Sequence, residues 1–163
     1  SYLTFGLSMA LPFFLAALSA LLALVLYDLA HQILPPAFLG TFVVLSVVTG
    51  YLLSPSLAVF AQTLTTAFLI GASLALIHFF SRGRAMGLAD APLSFGLALL
   101  VGPAAFSGFV FSFWIGAAIG IVLLLGRPVG SRIGVEVPFA PYLAAGFLLA
   151  YFTQWNLLDL IIR

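Results

Sequence analysis

Residues 3–27 read LTFGLSMALPFFLAALSALLALVLY, 25 positions without a charged side chain. An α-helix rises 1.5 Å per residue, so about 20 apolar residues cross a hydrocarbon core of roughly 30 Å. The run is long enough to span a bilayer. It is continuous rather than alternating and exceeds the 9–11 or so residues that a barrel strand needs, so it predicts a helix. Five more runs of this kind follow at 37–53, Leu57–Phe80, about 88–102, 104–126 and from Pro138 or Phe139 to about 162. The second and fourth are short, and the sixth is interrupted by Gln154, Asn156 and Asp159. The expected fold is all-α, a polytopic membrane helix bundle of about six transmembrane helices embedded in a lipid bilayer.

Composition agrees with that reading. Hydrophobic residues make up 64% of the 163 positions and charged residues 6%. Soluble domains are about 45–50% apolar and about 25% charged, so an ordinary water-soluble globule is excluded. Disorder is excluded too, because it needs low hydrophobicity and high charge. The net charge is +1, and the basic set is five arginines without a lysine, which is no footprint for nucleic acid. The chain has no cysteine, which removes disulfides, thiolate zinc sites and thiol catalysis. His31 and His78 stand far apart with no metal-ligand spacing, and neither a metal nor a cofactor is expected. The length predicts one domain over residues 1–163. The chain begins with Ser1 rather than Met, as a processed or truncated product would.

Polar breaks divide the runs. Asp28 is expected to end the first, and His31, Gln32, Pro35 and Pro36 follow it. Ser54 and Pro55 read as an N-cap with proline at the first helical position. Arg82 and Arg84 mark one loop; Arg127, Arg132 and Glu136 mark another; Gly102 and Pro103 break the chain between the fourth and fifth runs. With six crossings, Arg82, Arg84, Arg127 and Arg132 all fall on one side, and only Arg163 falls on the other. By the positive-inside rule that side is the cytoplasm. The end of the first run, with Asp28, and the start of the fourth, with Asp90, lie on the same side.

The four acids are Asp28, Asp90, Glu136 and Asp159. An ionisable group near a span costs about 3 kcal/mol on insertion scales and is a functional candidate by default. Asp28 and Asp90 stand out because both flank spans at the cytoplasmic face. Two carboxylates in a poorly solvated site share a proton. One then takes a proton from water while the other donates to a substrate carbonyl, with no metal needed. Each also has a local reading: Asp90 as an N-cap before Pro92, and Asp28 as an interfacial charge. His31 reads as interfacial, His78 as an interhelical hydrogen-bonding group, and Gly116-x-x-x-Gly120 as a close-packing motif. Tyr151 and Trp155 suit an outer aromatic belt. Glu136 and Asp159 read as solvated charges.

Three local patterns add a family. Residues 28–35, DLAHQILP, place an Asp at a span end before a Leu-Pro turn closing at Pro35. Residues 87–90, GLAD, hold Gly87 and Ala89 ahead of Asp90. Residues 137–143, VPFAPYL, carry Pro138, Phe139 and Pro141 at the opening of the last span. In order and spacing these resemble the prepilin peptidases and preflagellin peptidases, membrane aspartic proteases of the GxGD type. The chain departs from the family pattern at Pro36, where a second Asp is usual, and at Ala89 and Ala140, where glycines are usual. It also departs at Pro92, where a Lys is usual.

The resemblance covers the peptidase core and includes no cysteine-rich segment. It implies an aspartic endopeptidase with Asp28 and Asp90 as the catalytic pair and no cofactor. The implied partner is a prepilin-like substrate helix, cut at its leader at the cytoplasmic face of the inner membrane and used in a type IV pilus or a related secretion system. Two other readings stay open at this level: a small transporter or channel using the same acids as an ion path, and a degenerate scaffold that keeps the fold. The sequence fixes no oligomeric state.

Overall fold

The computed structural model describes residues 9–83, 86–125 and 138–153. These form six α-helices: α1 (Ala10–His31), α2 (Pro36–Leu53), α3 (Leu57–Phe80), α4 (Asp90–Val101), α5 (Ala105–Leu125) and α6 (Ala140–Thr153), with a 3-10 turn at Gly102–Ala104 between α4 and α5. Among the described residues there is no strand. Among the described residues four stretches are long and apolar enough to cross a membrane: Ala10–His31, Pro36–Leu53, Leu57–Phe80 and Asp90–Val122. The last comprises α4, the 3-10 turn and most of α5. The outward faces of the helices are as apolar as the inward ones, with Phe68, Phe80, Trp114 and Phe152 all strongly exposed. A helix that is apolar all round is buried in a protein core or spans a membrane.

The helix boundaries follow local chemistry. Pro12 sits in the first turn of α1, where its missing N–H removes no helical bond. Asp28 does not end this helix as expected. The helix continues through His31 and stops where Gln32 turns left-handed, at φ 54°, and returns its N–H to the Asp28 carbonyl over 2.8 Å. Asp28 therefore projects from the last turn instead of dangling from a loop. Pro35 then holds an extended conformation and Pro36 occupies the first helical position of α2, so the paired prolines both break one helix and start the next. The N-cap expected at Ser54 lies two residues further on. Ser56 accepts the N–H of Val59 at 3.3 Å to open α3, while Ser54 closes α2 by donating to the Gly50 carbonyl at 2.7 Å.

The short helix α4 is the axis of the bundle. Nearly all of its residues are buried, and it packs against α2, α3, α5 and α6. On one side the fully buried Phe42 ring of α2 lies so close to Gly96 that a Cβ there would stand 2.6 Å from the ring. Gly102, at φ 70°, ends α4, and Pro103 follows it in the turn. The chain then doubles back. Phe147 of α6 sits against Gly108, Leu143 meets Ser112, and Phe139 reaches Gly116, so α5 and α6 run antiparallel and the start of α6 lies beside the middle of α5.

Gly116-x-x-x-Gly120 reads as a close-packing motif, but the close approach of α5 to α6 lies elsewhere. Gly120 has open space where a Cβ would be, and Gly116 has only ordinary contacts. The tight positions are Gly108, whose Cβ would meet the Phe147 main chain at 2.9 Å, and Gly146, whose Cβ would overlap Ser112. The Ser112 hydroxyl has one proton for two carbonyls, that of Gly108 in its own helix at 2.7 Å and that of Leu143 across the seam at 3.1 Å. Sequence spacing alone does not say which glycines face the neighbouring helix, and here the facing pair is on different helices.

Other buried hydroxyls are satisfied inside their own helices. Ser46 donates to the Phe42 carbonyl (2.8 Å), Thr49 to Leu45 (2.7 Å) and Ser94 to Ala91 (2.8 Å). In an apolar surround this back-bonding is what makes a hydroxyl tolerable.

A candidate carboxylate site

Four helix ends converge on one region: the last turn of α1 with Asp28, the last turn of α3 with His78, and the first residues of α4 and α6, which are Asp90 and Ala140. Asp28 and Asp90 are 5% and 6% exposed, and the Asp28 carboxylate lies within electrostatic reach of Asp90. They are the only acids among the described residues; Glu136 and Asp159 lie outside them.

Each carboxylate has a main-chain amide beside it: that of Ala140 faces Asp28, and that of Gly87 bonds Asp90. Phe139 caps α6, its carbonyl taking the amides of Tyr142 and Leu143 at 3.1 Å each. The Ala140 N–H is therefore one of the helix-start donors that have no partner within the helix. The segment Pro138, Phe139, Ala140 and Pro141 thus brings a helix N-terminus, with its partial positive charge, against the Asp28 carboxylate. The second carboxylate oxygen of Asp28, Oδ2, is buried and has no hydrogen-bond partner. Buried polar atoms are nearly always paired, so this oxygen, at a site of converging helix ends, calls for an explanation beyond packing.

Asp90 is held differently from expectation. It is not the N-cap of α4: Ala89 takes that position, with Asp90 as the first helical residue. Its Oδ2 instead reaches back to accept the Gly87 N–H at 3.1 Å, while its own N–H bonds the Gly87 carbonyl at 3.3 Å. This reciprocal pair closes the turn of residues 87–90 and aims the carboxylate away from the helix it starts. Ala89 lies at φ −69°, ψ −18°, a right-handed conformation that alanine adopts without strain, so the backbone here does not require a glycine. Pro92 lies in the first turn, where proline is tolerated.

The two histidines separate. His31 is exposed and stacks on Tyr27, with ring centroids 4.4 Å apart. His78 was expected to bond across helices. It serves the loop after its own helix instead, its Nδ1 lying 2.8 Å from the Met86 carbonyl oxygen, and it acts electrostatically on Asp90. The sequence held no signal for this, because the contact depends on how residues 81–89 fold back.

Arg82 falls in that loop, while Arg84, Arg127, Arg132, Arg163 and Trp155 lie outside the described residues. Tyr151 packs its ring 5.4 Å from that of Phe14, between α6 and α1. Among the described residues no three His, Cys, Asp or Glu side chains gather as metal ligands. Comparison with known proteins finds no matching family model, no matching curated protein and no matching solved structure.

Proposed function

We propose that this protein is a membrane aspartic endopeptidase, with Asp28 and Asp90 as its catalytic pair. The observation that carries the reading is the burial of two aspartates from distant parts of the chain where the same helix ends converge, within electrostatic reach of each other, one of them with a buried, unpartnered oxygen. Such a pair works as a unit on one proton. The bare Oδ2 of Asp28 is free to accept from a water, the partner donates to the scissile carbonyl, and the proton later passes to the leaving amine. The amides of Ala140 and Gly87 beside the two carboxylates do not compete for that proton, because an N–H only donates.

The helix order fits six passes, of which α4, at 12 residues, is shorter than one bilayer core. The ends of α1 and α3 lie together with the starts of α4 and α6, as they do when each helix crosses in alternation. A straight 33-residue helix over Asp90–Val122 would be about 50 Å long at 1.5 Å per residue, well beyond one bilayer core, and the turn at Gly102 divides it. With the arginine loops inside, the aspartates face the cytoplasm of a cell-membrane protein. The substrate class is a helix whose basic leader emerges there, as in prepilin-like proteins. An ion path through the bundle is less favoured, because Ser46, Thr49 and Ser94 spend their hydroxyls on their own helices rather than lining a route.

Co-expression with a prepilin-like substrate in membrane vesicles tests this. The parent is expected to cut at the leader junction, and Asp28→Asn and Asp90→Asn are expected to insert normally and leave the substrate whole. Cleavage that survives either substitution overturns the assignment.

A further inference from the structure

We propose that His78 is a positioning residue for Asp90 and acts through the peptide group between Met86 and Gly87. The carbonyl of that peptide belongs to Met86 and its N–H to Gly87. A carbonyl only accepts, so the 2.8 Å contact from His78 Nδ1 is a donation from Nδ1–H. On the other side of the same planar unit, the Gly87 N–H donates to Asp90 Oδ2 at 3.1 Å. In a trans peptide the C=O and N–H point in opposite directions and turn together. Fixing one end therefore fixes the other, and a donor on the carbonyl also polarises the N–H toward its acceptor.

His78 is itself clamped where this requires. Its main-chain carbonyl takes the Gly83 N–H at 2.9 Å and the Ser81 hydroxyl at 3.2 Å. Its ring backs on Gly83, which at φ 75° turns the chain around the imidazole and whose Cβ, if present, would stand 3.3 Å from Cε1. Ser81, Gly83 and Met86 thus all bond to or back on this one residue, and the polar chain from α3 to the Asp90 carboxylate is His78, the 86–87 peptide, then Asp90. Only the activity arm of the following test rests on the peptidase reading.

Asn and Gln separate position from bulk. The amide nitrogen of Asn sits as many bonds from Cβ as His Nδ1, and that of Gln one bond further. His78→Asn is expected to keep cleavage near the parent rate, while His78→Gln and His78→Ala lower kcat about tenfold or more with little change in KM, as a misplaced reacting group does. Independently, with 13C-labelled aspartate in nanodiscs, the Asp90 carboxyl resonance, assigned by its loss in Asp90→Asn, should stay at the parent position in His78→Asn. It should move in His78→Gln. Equal rates and unmoved resonances in Asn and Gln variants overturn the proposal. A parent that cuts nothing, with the Asp90 resonance still moving as described, overturns the peptidase reading and leaves the positioning role standing.

Discussion

Replacing Gly108 by alanine puts the packing of this bundle and the geometry of its site to the same test. The added Cβ would stand 2.8 Å from Phe147 Cδ1 and 2.9 Å from Phe147 Cα, where ordinary contact begins at 3.4 Å. The ring edge can swing aside, but the Cα belongs to the main chain of α6. About half an ångström must therefore come from separation of the two helices. Overpacking of this kind costs about 1–3 kcal/mol.

Phe147 lies two turns along α6 from Ala140, about 10 Å at 1.5 Å per residue, so a displaced helix also draws the Ala140 N–H away from Asp28. Reversible unfolding in mixed micelles, followed by far-UV circular dichroism, reads the first effect, and the Ala140 amide resonance reads the second. Gly120→Ala, on the same helix with nothing within 4 Å of the new Cβ, serves as the control: it should gain about 0.5–1 kcal/mol from helix propensity and leave the Ala140 resonance in place. If Gly108→Ala unfolds with the parent and the Ala140 resonance does not move, the α5–α6 seam is not where the structure puts it.

Three further outcomes follow from named contacts. Phe42→Ala removes the fully buried ring wedged against Gly96 and should cost about 3 kcal/mol in the same unfolding assay. Ser112→Ala removes the hydroxyl shared between the Gly108 and Leu143 carbonyls at the α5–α6 seam and should cost about 0.6 kcal/mol, the average for hydroxyl bonds between membrane helices. Ser56→Ala loses the cap of α3 and should cost about 0.5 kcal/mol, the lower end for an exposed cap, detected as earlier fraying of the Val59 amide in hydrogen exchange.

Much of the fold is legible in the sequence because a bilayer leaves few choices. Uncharged runs must be helices, and the proline pair at 35–36 and the Gly102–Pro103 step punctuate them where the structure does. The errors lie at positions that turn on one or two residues. Asp28 was expected to stop α1, but a carboxylate in a last turn stops nothing when a left-handed Gln32 does so three residues later. Ser54 and Ser56 are equivalent in composition, and only the hydrogen bonds tell the cap from the closing residue.

The site was legible as two acids and three short patterns, and those patterns fall at the converging helix ends: residues 28–35 carry Asp28, 87–90 carry Asp90, and 137–143 contain the start of α6. The amide of Ala140 and the ring of His78 were not legible. A main-chain donor has no sequence signature, and a histidine twelve positions before Asp90 acquires its role only through the loop between them.

The account stands on Asp28 and Asp90 forming one site, and the absence of native cysteine makes that directly measurable. In the double variant Asp28→Cys, Asp90→Cys, a short bifunctional thiol reagent applied to intact membranes should join α1 to α4 within one chain. After cleavage in the 81–87 loop the two halves should stay together until reduced. A Gly116→Cys, Tyr142→Cys pair, whose Cβ atoms would stand 3.7 Å apart across the α5–α6 seam, shows that the reagent works in these membranes. Linkage of the control pair without linkage of positions 28 and 90 would contradict the shared site, and with it the catalytic pair.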